Sequence, residues 1–249
     1  MPDASLTCLD FWCKAGSSNE NPGEEGLAHF LEHMVFKGTS KMGTHNWEEE
    51  SKLLDEISAL YEQHKAEQDP AKKKEIYAQI DKISGEASKY AVANEYDKMI
   101  SGLGAKRTNA YTSVEQTMYI NDIPATELEK WMKVESERFN ELVLRLFHTE
   151  LEAVFEEFNR GQDNDYRKVY AAMNKLLFTK HPYGTQTTIG EGEHLKNPSM
   201  VKIHEYFNKY YVANNMAICL SGDLDVEQTL AMIKKYFGKL RKGDVNAPV

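Results

Sequence analysis

Gly26-Leu27-Ala28-His29-Phe30-Leu31-Glu32-His33-Met34 is the stretch whose reading decides the fold. At 3.6 residues per turn, positions i, i+3 and i+4 of a helix share a face, so His29, Glu32 and His33 project together. Two imidazoles four residues apart can bind one Zn²⁺. The carboxylate between them then stands beside a water whose pKa the ion lowers to about 7, placed to take its proton. The order His-x-x-Glu-His inverts the commoner His-Glu-x-x-His and is a zinc-hydrolase signature in its own right. Around it, Gly26, Ala28, Phe30, Leu31, Met34, Val35 and Phe36 make the helix apolar and therefore buried. Two histidines and a glutamate on a buried helix need partners, because unpaired buried polar groups are costly. A metal ion would supply one.

A catalytic zinc usually takes three protein ligands. The best region for the third is Glu150-Leu151-Glu152-Ala153-Val154-Phe155-Glu156-Glu157-Phe158, with four carboxylates on one predicted helix. Glu150 and Glu157 share one face; Glu152 and Glu156 share another. Periodicity does not choose between the pairs.

The rest of the chain frames this helix. At 249 residues, 41% hydrophobic and 28% charged, it can bury a sizeable core as one large domain or two small ones. The net charge of -9 argues against nucleic acid as a partner, which would require a basic patch. No apolar run approaches the roughly 20 residues that span a membrane. No signal peptide opens the chain, as expected of a cytosolic protein, a processed one or a piece of something longer. Cys8, Cys13 and Cys219 form no Cys-x-x-Cys pair and read as small buried residues.

Ser5 to Ala15 reads as a strand and residues 16–23 as a turn-rich loop. Glu24 and Glu25 precede the motif helix, where negative charge suits its dipole, and Gly38 is its expected C-terminal stop. Helix signals at Asn46-Trp47 and Asp69-Pro70 predict a charged helical hairpin over 51–93. It reads as a solvated elaboration, with a lid or docking arm as the functional alternative. Short strands follow at Thr108 to Ser113 and Gln116 to Ile120, then a helix opened by Pro124 and a long helix from about Thr149 to Leu177. His181-Pro182-Tyr183-Gly184 reads as a loop in which His181 packs or caps a turn. Val201 to Tyr210 and Val226 to Phe237 are helical, and Met216 to Leu220 is a buried strand. Irregular alternation of strands and helices indicates an α+β or mixed α/β fold.

Lys14-Ala15-Gly16-Ser17, the Gly26–Met34 motif, Phe36-Lys37-Gly38-Thr39, Gly104-Ala105, Asn109-Ala110-Tyr111-Thr112-Ser113 and Thr117-Met118-Tyr119 together resemble the pitrilysin/insulinase family of zinc peptidases. So do Glu150 to Asn164, His181 to Gly184, Tyr211 to Met216 and Gly222-Asp223. The resemblance covers nearly the whole chain outside 51–93 and is closest to the large bacterial members.

It implies an α+β domain over 1–249, an antiparallel sheet flanked by helices, with 51–93 inserted. His29 and His33 match the family's zinc-binding histidines, Glu32 its general base, and Glu157 its distal zinc carboxylate. Glu150 matches a carboxylate that orients a ligand. Asn109, Ala110, Tyr111 and Thr112 match an edge strand that holds extended substrate peptide by β-augmentation. The implied activity is zinc-dependent hydrolysis of short or unfolded peptides. The stretch from His33 to Glu157 is longer than usual in the family, which the insertion explains. Family members pair such a domain with a related one, in the same chain or another subunit, and this chain holds only the zinc-bearing half. It reads as an N-terminal piece that needs its partner for full activity. The alternative is a non-catalytic structural or peptide-binding subunit, a type that typically loses zinc-site residues; none is lost here. The resemblance to bacterial members suggests a periplasmic or secreted location, with a cytoplasmic one as the alternative.

Overall fold

The computed structural model describes residues 6–245. In chain order the elements are β1 (Thr7–Cys13), α1 (Leu27–Val35), α2 (Trp47–Ala66), α3 (Pro70–Ala87), α4 (Glu95–Gly102), β2 (Arg107–Thr112) and β3 (Thr117–Ile123). They continue with α5 (Leu128–Asn140), α6 (Phe147–Gln162), α7 (Asp165–Leu177), α8 (Pro182–Thr185), α9 (Gly192–Leu195), α10 (Met200–Tyr210), β4 (Met216–Ser221) and α11 (Val226–Phe237). Among the described residues the strands make one antiparallel sheet in the order β2-β3-β1-β4. With its helices this is the α+β architecture expected.

The two-residue period of a strand decides which face is covered. In β1, Thr7, Leu9, Phe11 and Cys13 are buried, while Trp12 on the opposite face is exposed. The register puts Phe11 opposite Tyr119 of β3 and Ile218 of β4. Phe11 stacks on Phe139 of α5 at 4.0 Å and lies 5.4 Å from Phe237 of α11, so these helices cover the inner face. Trp131, Met132, Leu31 and Met34 are fully buried in the same core. Each such side chain contributes roughly 1.5–3 kcal/mol.

Several elements differ from the sequence reading. The first strand begins at Thr7, and Ser5 lies outside the described residues. The expected long helix over Thr149 to Leu177 is two helices. The break falls at Asp163-Asn164, where the Asn164 side chain accepts from Arg167 N at 3.1 Å and so starts α7 afresh. Strand β4 is not buried: it is an edge strand with Ala217, Cys219 and Ser221 on the bare outer face. Cys219 is accordingly exposed and Cys8 half-buried; only Cys13 is buried.

The hairpin starts with α2 at Trp47, capped by Asn46, and restarts at Pro70, capped by Asp69. It is not merely solvated. Leu54, Ile57, Leu60, Tyr61 and Ile80 are buried, and Tyr61 Oη lies 2.8 Å from His148 Nδ1 on α6. The hairpin thus braces the helix that carries Glu150 and Glu157. Among the described residues, no helix is long and apolar enough to cross a membrane.

Candidate metal centre

Helix α1 starts at Gly26, whose φ of 95° only glycine adopts readily. The carboxylate at its first turn is that of Glu20, not of Glu24 or Glu25; from Glu24 only the backbone carbonyl takes part, accepting from Leu27 N. The buried Glu20 carboxylate accepts from Gly26 N at 3.1 Å and Ala28 N at 2.7 Å. Burial pushes the Glu20 carboxyl up to about 8, against the pull of those two bonds. Ala28, Phe30, Leu31, Met34 and Val35 lock the apolar faces of α1 into the core. His29, Glu32 and His33 are left lining a groove.

Helix α6 meets this face with Glu157 and Glu150. Nε2 of His29 and Nε2 of His33 are 3.3 Å apart, and Oε2 of Glu157 is 3.8 Å from each. These residues form the one cluster of potential metal ligands among the described residues. A triangle with those sides has a centre about 2.1 Å from every corner, the length of Zn–N and Zn–O bonds. Two imidazoles and a carboxylate are also the donor types zinc takes in hydrolases. The residues therefore fit the ion. Glu152 and Glu156 are exposed, and of the four carboxylates on α6 it is Glu157 that lies in the cluster with His29 and His33.

Glu150 does not join the triangle. Its Oε1 is 2.8 Å from His33 Nδ1 and its Oε2 2.5 Å from Lys37 Nζ. A proton on His33 Nδ1 donated to Glu150 leaves Nε2 with its lone pair facing the triangle. Burial alone would lower the His33 pKa, but the hydrogen bond and charge of Glu150, with Glu32 and Glu157, outweigh it, so the net shift is upward. For Glu150, burial is likewise outweighed by His33 and Lys37, and its carboxyl is held below the usual range. His29 has no such partner. Burial, then the nearby His33, lowers it to about 4, so it is a free base at neutral pH. Its Nδ1 is buried and without a hydrogen-bond partner among the described residues.

Glu32 is buried one helical step from the triangle, and Thr112 Oγ1 donates to its Oε2 at 2.5 Å. Burial raises its carboxyl; the Thr112 bond opposes that. Strand β2, with Asn109, Ala110, Tyr111 and Thr112, runs along the same groove, whose volume is about 1720 Å³. It is an edge strand. The Ser113 N to Gln116 O bond fixes the ladder phase: odd-numbered residues pair with β3. Thr108, Ala110 and Thr112 therefore turn their backbone N–H and C=O groups to the free edge. His181 stays out of the cluster and caps α8, its Nδ1 accepting from Tyr183 N at 3.3 Å.

Sequence reasoning missed three participants: Glu20, Lys37 and the bond from Thr112 to Glu32. Lys37 had a signal, since it continues the four-residue row His29, His33. The other two contacts cross between elements and leave no periodic trace.

The model of the insulinase family (peptidase family M16) matches residues 3–67 and 80–188. This chain belongs to the insulinase family. Residues 200–249 match the model of the M16 inactive domain. Within 3–188 the first match leaves out 68–79, the turn of the hairpin and the first part of α3. An uncharacterized zinc protease of Rickettsia bellii is 24% identical over 249 residues, covering 98% of this chain and 47% of that protein. Zinc protease PqqE of Helicobacter pylori is 24% identical over 242 residues, covering 96% and 43%. Among solved structures, a protease from Helicobacter pylori superposes with a TM-score of 0.72 at 22% identity, covering 100% of this chain and 49% of that one. The first half of the periplasmic protease PqqL from Escherichia coli gives 0.70 at 22%, covering 97% and 43%. The chain is a metalloprotease-family domain that spans about half the length, or less, of these relatives.

Proposed function

We propose that this insulinase-family domain hydrolyses peptide bonds, with a zinc ion held by His29, His33 and Glu157 and with Glu32 as general base. The observation that carries the reading is the triangle of Nε2, Nε2 and Oε2, sized for zinc, with a buried carboxylate beside it. The relatives named zinc proteases support the choice of ion. When bound, zinc polarises a peptide carbonyl and acidifies water. Glu32 takes the proton of the attacking water and returns it to the departing amine. The Thr112 hydroxyl holds Glu32 in place for both transfers, and Glu150 orients His33. Substrate peptide lies extended along β2, bonded to the outward backbone groups of Thr108, Ala110 and Thr112, as a further strand.

The substrate class follows from that geometry: only an extended, locally unfolded segment can add to a strand edge, so short or unfolded peptides fit. A single continuous core supports 1–249 acting as one domain. We further propose that full activity needs a second, related half. The groove is open, and at its rim α7 exposes Tyr166, Val169, Tyr170, Met173, Leu176 and Leu177 at helical spacing. Relatives roughly twice as long support this.

The test is cleavage of an unstructured fluorogenic peptide by residues 1–249 and by the full-length enzyme, with and without chelator. The full-length enzyme should cleave, lose activity with chelator and regain it with zinc; residues 1–249 should bind peptide and cut little. Chelator-resistant cleavage rejects the zinc mechanism, and strong turnover by residues 1–249 alone rejects the partner requirement.

A further inference from the structure

Glu150 lies between two nitrogen groups, His33 Nδ1 at 2.8 Å on one oxygen and Lys37 Nζ at 2.5 Å on the other. The Lys37 and Glu150 side chains are 22% and 16% exposed, so water screens their contact only in part. The Lys37 backbone is fixed on both sides. Its N–H donates to Met34 O at 3.0 Å, and its carbonyl accepts from Arg145 Nη1 at 2.8 Å. Arg145 is 1% exposed and grips Glu50 with two bonds of 2.6 and 2.8 Å while also donating to Met42 O and Thr39 O. The loop can wrap this guanidinium because Gly38 and Gly43 have φ of +97° and +91°. A Cβ at Gly38 would sit 2.1 Å from Met42 O, and one at Gly43 2.6 Å from Arg145 Nη1. The lysine stem therefore leaves a rigid loop, and its ammonium reaches Glu150 from a set position.

Three carboxylates surround two histidines here: Glu32, Glu150 and Glu157. Glu150 shares the helix face of Glu157, so an unrestrained Glu150 carboxylate can turn toward the same cation. With Lys37 present both of its oxygens are committed, one to His33 and one to the ammonium. We propose that Lys37 is a positioning residue of the metal centre, holding Glu150 on His33 Nδ1 and out of the ion's own ligand set. This rests on the reading that His29, His33 and Glu157 bind zinc. It assigns the selection between two carboxylates on one helix face to a cation on a neighbouring loop.

The test uses residues 1–249 as wild type, Lys37→Met and Lys37→Arg, each loaded with Co²⁺ for its visible spectrum and titrated with Zn²⁺ against a chromophoric chelator. Wild type should give the strong absorption of four-coordinate Co²⁺. Lys37→Met should give a weaker, shifted spectrum as Glu150 enters the ligand set, with zinc affinity about tenfold lower, the low end for loss of an outer partner. Lys37→Arg should restore both. A wild-type spectrum and affinity in Lys37→Met overturn the proposal, as does an arginine variant that restores neither. If Lys37→Met does not fold by circular dichroism, Lys37→Gln, polar but uncharged, is read by the same criteria. A wild-type chain that binds neither ion removes the metal site, and this role with it.

Discussion

Replacing Glu32 by glutamine should separate activity from stability. Glutamine keeps the shape of the side chain, and its amide oxygen still accepts the Thr112 hydroxyl that reaches Glu32 at 2.5 Å. It cannot take a proton. Loss of a general base costs about 10²- to 10⁴-fold in rate, or about 3 to 5 kcal/mol of transition-state stabilisation. Stability should move the other way. Burial raises the folded Glu32 carboxyl above its ordinary value of 4.5. A raised folded pKa gives a contribution that is full below the unfolded value and lost as pH rises through the folded one. As pH rises above 4.5, ionising this buried carboxyl costs the wild type stability that the glutamine variant does not lose. Zinc-free Glu32→Gln should melt at or above the wild-type temperature at pH 8, and the advantage should vanish at pH 4. The assay is peptide cleavage by the full-length enzyme alongside calorimetric melts of residues 1–249 in chelator. A rate loss below tenfold with zinc still bound, or a variant that melts well below wild type at pH 8, would refute the reasoning.

The other expectations concern the surroundings of the triangle. Arg145→Met leaves Glu50 buried and unpaired and takes the side-chain donor from Lys37 O and Thr39 O, while Met42 O keeps the Thr39 N–H, so urea unfolding should show a loss of about 3–5 kcal/mol; a loss under about 1 kcal/mol would contradict the clamp. In zinc-free protein, Glu150 is depressed below 4.5 and contributes above that pH, while His33 is raised above 6.5 and contributes below that pH. The melting difference between wild type and Glu150→Gln should therefore be widest between pH 4.5 and 6.5 and shrink on either side, and a flat difference would count against the pair. Ala110→Pro removes an outward N–H that β3 does not use, so the fold should persist while peptide affinity, measured by fluorescence anisotropy, falls; unchanged affinity would exclude the β2 edge as the peptide site.

Much of this was legible before any coordinates. His29, Glu32 and His33 are fixed on one face by helical periodicity alone, and caps such as Asn46 and Asp69-Pro70 marked helix starts correctly. Glu157 needed more than periodicity, because the pairs Glu150/Glu157 and Glu152/Glu156 are equally periodic; the family resemblance singled it out, and the packing of α6 on α1 puts it beside the two histidines. The split between α6 and α7 was hidden because Asp163-Asn164 is a cap without a proline or glycine at the break itself. β4 looked buried because Met216-Ala217-Ile218-Cys219-Leu220 is apolar on both faces, while burial depends on which strand lies at the sheet edge. Contacts such as Thr112 to Glu32 and Glu20 to Ala28 join separate elements, and no local pattern encodes them.

The most direct measurement is zinc stoichiometry by elemental analysis of freshly purified protein, for wild type and for His29→Ala, His33→Ala and Glu157→Ala. One zinc per chain in wild type, falling to near background in each variant while circular dichroism stays folded, is the outcome expected of a three-ligand site. A folded wild type without zinc, or variants that keep a full equivalent, would contradict it.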